Sequence, residues 1–295
     1  MTQLIRLLAL VLISAPVFAQ ELTGTLKKIK DTNTIVLGHR ESSIPFAYYD
    51  DQQRVVGYSH ELALQIVDAV KKQLAAPNLA VKLNPVTSQT RIPLVQNGTI
   101  DLECGSTTNN LERQQQVAFS NSIFIIGTRL LTKNSSGVKD FPDLASKTVA
   151  TTAGTTSERI IRKMNADKNM NMNIISAKDH GEAFLIAESG RAIAFMMDDA
   201  LLYGELAKAR NPREWIVTGK PQSFEVYGCM MRKDDAQFKK LVDETLAGIM
   251  KSGEINTLYA KWFQSPIPPK GLNLNFPMSD ELKALFKNPN DKAVE

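Results

Sequence analysis

The chain has 295 residues, 43% hydrophobic and 22% charged, enough for two ordinary domains or one large one. That balance excludes a disordered chain. The formal charge is only +4 and no basic run carries interleaved aromatics, so nucleic acid is excluded as an expected partner.

The chain opens on MTQLIRLLALVLISAPVFAQ, which has the parts of an export leader. Arg6 gives a positive start, and Leu7 to Ser14 an apolar stretch too short to span a bilayer. Val17, Phe18 and Ala19 make a small-residue cleavage site. A buried core helix is the alternative, but such a helix does not normally open a chain and end in small residues followed by polar ones. Residues 1–19 are therefore expected to be a signal peptide cut after Ala19, with the periplasm as destination. No cysteine follows the apolar run, so no lipid anchor is indicated.

Strand-length apolar runs then alternate with helical patterns. Thr34–Gly38 reads as a strand, and Ser59 as the cap of a helix whose apolar face is Leu62, Ile66, Val67, Val70 and Leu74. Ala80–Pro85 is a second strand, and a helical stretch from Gln89 to Asn97 ends on Gly98. Ile100–Cys104, Ile123–Leu131 and Thr148–Thr152 follow as strands, then a helix over Thr156–Asn165 and a strand over Asn173–Ser176. Asp179 with Glu182 predicts a capping box for the next helix. Ala192–Met197, Trp215–Thr218 and Glu225–Met231 are further strands. The last third is helical over Ala236–Met250 and Glu254–Phe263, then turns at SPIPPKG and ends in a short helix, Asp280–Phe286. Such alternation predicts an α/β fold with largely parallel sheets.

Export makes the cysteines informative. In an oxidising compartment Cys104 and Cys229 have only each other as intramolecular partners, so a disulfide is expected, two buried thiols being the alternative.

Residues for catalysis are sparse. The three histidines (39, 60 and 180) are scattered, with no HExxH, no CxxC and no GxSxG, so neither metal nor cofactor is expected. Two hydroxyl-rich segments stand out instead: CGSTTNN after the strand ending at Cys104, and AGTTSE after the strand ending near Thr152. Ligands of α/β sheets bind beyond the carboxyl ends of strands, and the second segment opens a helix whose N–H groups near Thr155 and Thr156 favour an anion. Ser and Thr also cap helices constantly, so either segment alone could be no more than a cap.

The run CGSTTNNLERQQQVAFSNSIF resembles the signature of the polar amino acid group of periplasmic solute-binding proteins, which have the type II fold and serve ABC importers. AGTTSE and FMMDDALL stand where that family has second-lobe contacts, while GHRESSIPFAYYD, TSQTRIPLVQNGT and SAKDHGEAF resemble its glutamate/aspartate branch. The resemblance runs from about Leu26 to Asn290. It implies two lobes, each a mostly parallel sheet flanked by helices. Lobe 1 would be residues 20–127 and 227–295, lobe 2 residues 128–226, with crossings near Gly127–Arg129 and Phe224–Tyr227. Cys104 and Cys229 then share a lobe.

Carried over by position, the resemblance implies a ligand set. Arg113 would hold an α-carboxylate with a bidentate fork, completed by Thr108 and Thr156. Asp198, helped by Ser106, would take the α-ammonium. Arg40, Ser88, Arg91 and His180 would surround the distal carboxylate. His180 could instead be merely exposed, and Asp199 is expected to cap a helix. Trp215 and Trp262 read as core; Phe46, Tyr48 and Tyr49 could cover the ligand or simply pack. Three arginines against one aspartate suit a ligand of charge −1, so the implied partners are L-glutamate or L-aspartate and an ABC importer permease, with the protein a monomer. A lyase of the cyclohexadienyl dehydratase type is the rival, since it shares the fold, and a sensory ligand-binding module is another.

Overall fold

The computed structural model describes residues 21–295, so the leader and its cleavage site lie outside the described residues. The first sheet has five strands, in the order Ala80–Pro85, Thr34–His39, Leu102–Glu103, Met230–Met231 and Ala118–Phe119. The second runs Asn173–Ala177, Thr148–Thr152, Ala194–Asp198, Phe124–Lys133 and Trp215–Thr218, with Phe224–Tyr227 paired to one end of Phe124–Lys133.

Parallel pairing occurs where a helix carries the chain back across a sheet. Tyr58–Gln73 does so between Thr34–His39 and Ala80–Pro85, and Thr156–Asp167 between Thr148–Thr152 and Asn173–Ala177. Both sheets are nevertheless mixed. Phe124–Lys133 is antiparallel to all three of its partners, and Met230–Met231 to both of its own.

One strand serves two ladders. Phe124–Gly127 pairs with Tyr227–Phe224, whereas Thr128–Thr132 pairs with Asp198–Ala194. Thr128 and Ser223 continue the first ladder through a 3.1 Å backbone bond, and Gln222 N–H returns to the Thr128 carbonyl at 3.0 Å. Beneath this crossing lies an aromatic cluster. Phe124 packs on Phe46 at 4.9 Å between ring centroids and on Phe263 at 4.8 Å, while Tyr259 stacks on Phe263 at 4.5 Å. Each such pair contributes about 0.5–1.5 kcal/mol beyond burial, so the first half of the crossing strand is firmly anchored.

The helix Tyr58–Gln73 buries Leu62, Ile66, Val67 and Val70, as their spacing predicts. Its cap differs: Gly57 precedes it without a side-chain cap, and the Ser59 hydroxyl donates to the Gly105 carbonyl at 2.9 Å. The predicted strand Glu225–Met231 is two strands, because Gly228 and Cys229 turn away between partners on different sheets. The strand expected over Ile100–Cys104 is only Leu102–Glu103, and the helix expected from Gln89 is Arg91–Gln96. Asp179 accepts from the Glu182 amide at 3.0 Å, but the Glu182 carboxylate reaches the Lys178 amide, so half of the predicted capping box forms. Sequence patterns gave no sign of the helix Gly24–Thr32 or of the small sheet Ser42–Ser43, Ala47–Tyr49 and Val55–Val56.

Cys104 and Cys229 form a disulfide, with Cα atoms 4.3 Å apart. It fastens the CGSTTNN segment to the loop between Phe224–Tyr227 and Met230–Met231. Trp215 and Trp262 are buried, as expected.

Candidate functional site

Strand ends of the two sheets face one another, and the expected residues come from those ends. Arg40 follows Thr34–His39, Ser88 and Arg91 follow Ala80–Pro85, and Ser106, Thr108 and Arg113 follow Leu102–Glu103. Opposite them, Thr156 and His180 open the helices after Thr148–Thr152 and Asn173–Ala177, and Asp198 closes Ala194–Asp198. Every one of these side chains is buried; Arg113, at 8% exposure, is the most open.

The two faces touch. Arg113 Nη1 donates to the Thr108 carbonyl at 2.9 Å, and its Nη2 reaches the Gly154 carbonyl of the opposite face at 3.4 Å. Gly154 has φ +76, and a Cβ there would stand 2.7 Å from Gln89 Cγ, so this approach needs glycine. Ser42 Oγ donates to Asp179 at 3.1 Å and accepts from the Gly181 amide at 3.3 Å. At the exposed rim Arg159 pairs with Glu112.

Arg91 Nη1 donates to the Ser106 carbonyl at 3.0 Å and to the Thr107 hydroxyl. Thr107 in turn donates to Glu103 Oε2 at 2.8 Å. Ser106 Oγ donates to Ser43 Oγ at 3.2 Å. Asp198 accepts from Thr128 at 3.0 Å, from Ser157 at 3.3 Å, and from the Tyr227 phenol. His180 Nδ1 and Thr152 Oγ1 lie 2.8 Å apart.

Some donors are left over. Arg40 Nη1 and Nη2, Arg91 Nε, Ser88 Oγ and His180 Nε2 are buried with no hydrogen-bond partner among the described residues. Leaving such groups unmet costs about 1–3 kcal/mol each, more for a cation. A set of this composition is built to meet an anion.

Burial sets the charges. It lowers Arg40 to about 10 and Arg113 to about 9, with Arg91 adding to both shifts, so both stay cationic at neutral pH. Burial, then Arg40 and Arg91, hold His180 well below the usual imidazole range, so it is neutral. Where Thr152 donates to Nδ1, the ring proton lies on Nε2, the nitrogen left unmet, and can be donated. Burial, then the charge of Glu225, raises Asp198 to about 7.

The count of three arginines against one aspartate is therefore incomplete. Glu103 is fully buried beside Arg91 and Arg40, and Glu225 is 3% exposed near Asp198. Glu103, Thr107, Tyr227, Ser157 and Ser43 were missed; Thr107 inside CGSTTNN, Ser157 inside AGTTSE and Ser43 inside GHRESSIPFAYYD carried a signal in their neighbours. The alternative of an exposed His180 does not hold. Asp199, expected as a cap, is the first residue of Asp199–Lys208, whose cap position is Asp198. Phe46 and Tyr48 are aromatic core, and Tyr49 stands edge-on to His39 at 5.2 Å. Among the described residues no group of three His, Cys, Asp or Glu is placed to hold a metal ion.

Two mixed sheets that close their strand ends over a donor-rich cage make up the type II periplasmic binding fold. The model of the bacterial extracellular solute-binding proteins, family 3, matches residues 35–265, and the chain belongs to that family. It is 66% identical over 285 residues to an L-glutamate/L-aspartate-binding protein of Pseudomonas aeruginosa, covering 96% of this chain and 94% of that one. It is 63% identical over 271 residues to a glutamate/aspartate import solute-binding protein of Escherichia coli, covering 92% and 90%. Among solved structures, the P235GK mutant of ArgBP from T. maritima aligns with a TM-score of 0.72 and 27% identity, over 81% of this chain and 99% of that one.

Proposed function

We propose that the protein captures L-glutamate or L-aspartate in the periplasm, as a monomer cut after Ala19, and delivers it to an ABC importer permease. The observation that carries this reading is the set of buried, unmet donors on Arg40, Ser88, Arg91 and His180 beyond Arg113. One carboxylate would be held by Arg113, Thr108 and Thr156. A second acid group is then needed to satisfy the remaining donors, and glutamate and aspartate supply it. The ammonium goes to Asp198, with Ser106 beside it. A dehydratase needs an acid or base beside the leaving group, and His180 and Asp198, which line the cage, are committed to ligand charges in this reading.

Binding would join two lobes, residues 20–127 with 227–295 and residues 128–226, moving about Gly127–Arg129 and Phe224–Tyr227. Ligand stabilises the closed arrangement because only that arrangement offers both halves of the cage. A thermal-shift screen against the common amino acids tests the reading: the melting temperature should rise strongly for glutamate and aspartate alone. A comparable rise with neutral amino acids would refute it.

Arg91→Ala should weaken glutamate and aspartate by at least about tenfold, and glutamine far less. Calorimetry showing equal losses for acid and amide would remove the distal-carboxylate role. Binding should also release protons. In the closed arrangement without ligand Asp198 sits at about 7, and an adjacent ammonium favours its ionised form. Calorimetry in buffers of different ionisation heat should therefore find net proton release at pH 6 and little at pH 8. Equal values at both would contradict the pairing.

A further inference from the structure

We propose that Glu103, which would touch no ligand atom, fixes the distal subsite at one net positive charge and so tunes it to a singly charged side-chain acid. This rests on the proposed glutamate/aspartate site. Glu103 ends the strand Leu102–Glu103 and is fully buried. Its Oε2 accepts from Thr107 Oγ1 at 2.8 Å, and the same hydroxyl meets Arg91 Nη1. Oε1 has no hydrogen-bond partner among the described residues. It lies 2.5 Å from where a Cβ on Gly105 would sit, and Arg40 Cγ lies 3.1 Å from that same point. The carboxylate thus reaches Arg91 through a hydroxyl and flanks Arg40 across a residue that must lack a side chain.

The charges around the subsite can be set out from every element facing it. Arg40 and Arg91 contribute two positive charges and Glu103 one negative. His180 is neutral, because burial and the two arginines oppose its protonation. Asp198 is committed to the ammonium end. Asp179 also bears on Arg40, but it is half-buried and caps the helix opening at His180, whose N-terminal amides, with Ser42, offset its charge. Lys208, which also bears on His180, is paired with Glu205 at 2.9 Å. One side-chain carboxylate therefore makes the closed subsite neutral. A doubly charged acid would leave a negative charge unbalanced in a dry site, where such charges are costly.

O-phospho-L-serine is a suitable probe. Its phosphorus stands as many atoms from Cα as the glutamate carboxyl carbon, and it gains its second side-chain charge near pH 6. In the wild-type protein its affinity relative to glutamate should fall by about tenfold or more between pH 5 and 8. Taking the ratio cancels the titration of Asp198, which both ligands share. Glu103→Gln keeps an acceptor for Thr107 but removes the charge, and should shift the pH 8 ratio by about tenfold or more toward phosphoserine. Glu103→Asp should hold the wild-type ratio. A purely structural role would weaken both ligands alike, so an unmoved ratio in Glu103→Gln overturns the proposal. If that variant fails to fold, a wild-type ratio flat from pH 5 to 8 overturns it equally. Wild-type protein that takes up neither glutamate nor aspartate overturns the parent reading, and this one with it.

Discussion

Replacing Arg113 with alanine should abolish binding of every amino acid, acidic or neutral. The guanidinium is 8% exposed, and its Nη1 is fixed by the Thr108 carbonyl at 2.9 Å, which orients the fork toward the space between the faces. Every α-amino acid carries the α-carboxylate assigned to it. Removing one partner of a buried ion pair costs about 3–5 kcal/mol, or roughly two to three and a half orders of magnitude in affinity. Lysine keeps the charge but not the two parallel N–H donors, so Arg113→Lys should recover only part of the loss. The loss should fall on glutamate and glutamine alike, in contrast to Arg91→Ala. Calorimetric affinity for glutamate within tenfold of wild type would rule out this role.

Removing the disulfide should produce the largest loss of stability. The cysteines are 125 residues apart, and closing so long a loop restricts the unfolded chain by about 4–5 kcal/mol in the chain-entropy model. For a protein of this size that corresponds to a melting temperature lower by roughly 8–15 °C. Because the effect acts on the unfolded state, the Cys104→Ser/Cys229→Ser variant should keep its ligand-induced thermal shift. Calorimetric melting within about 2 °C of wild type would show that the bridge contributes little.

What the sequence made legible depended on how locally each feature is determined. Arg40, Arg91, Thr156 and His180 stand within a few residues of a strand end or helix start, so pattern and motif together find them. The relay Arg91–Thr107–Glu103 depends on which way a two-residue strand turns its side chains, and no periodicity can be read from two residues. Tyr227 meets Asp198 from 29 positions further along the chain, through strand register alone. Ser59 misled for a related reason. Its hydroxyl stands where a cap is expected, but Gly105 offers it a carbonyl from a distant segment. The split of Glu225–Met231 was hidden because both pieces are apolar, and only their differing partners separate them.

The strand Phe124–Lys133 has a kinetic consequence. Asp198 is paired with Thr128, at the point where that strand changes partners, and so lies close to the proposed pivot. A rotation displaces atoms in proportion to their distance from its axis. A ligand landing on an open form would find Asp198 almost in place, whereas Glu112–Arg159 and Ser42–Asp179 at the closing faces would come together last. Capture speed is then governed by the groups near the pivot and on the first face, and dwell time by the closing contacts. A permease that parts those outer contacts alone would hasten release without disturbing the pivot.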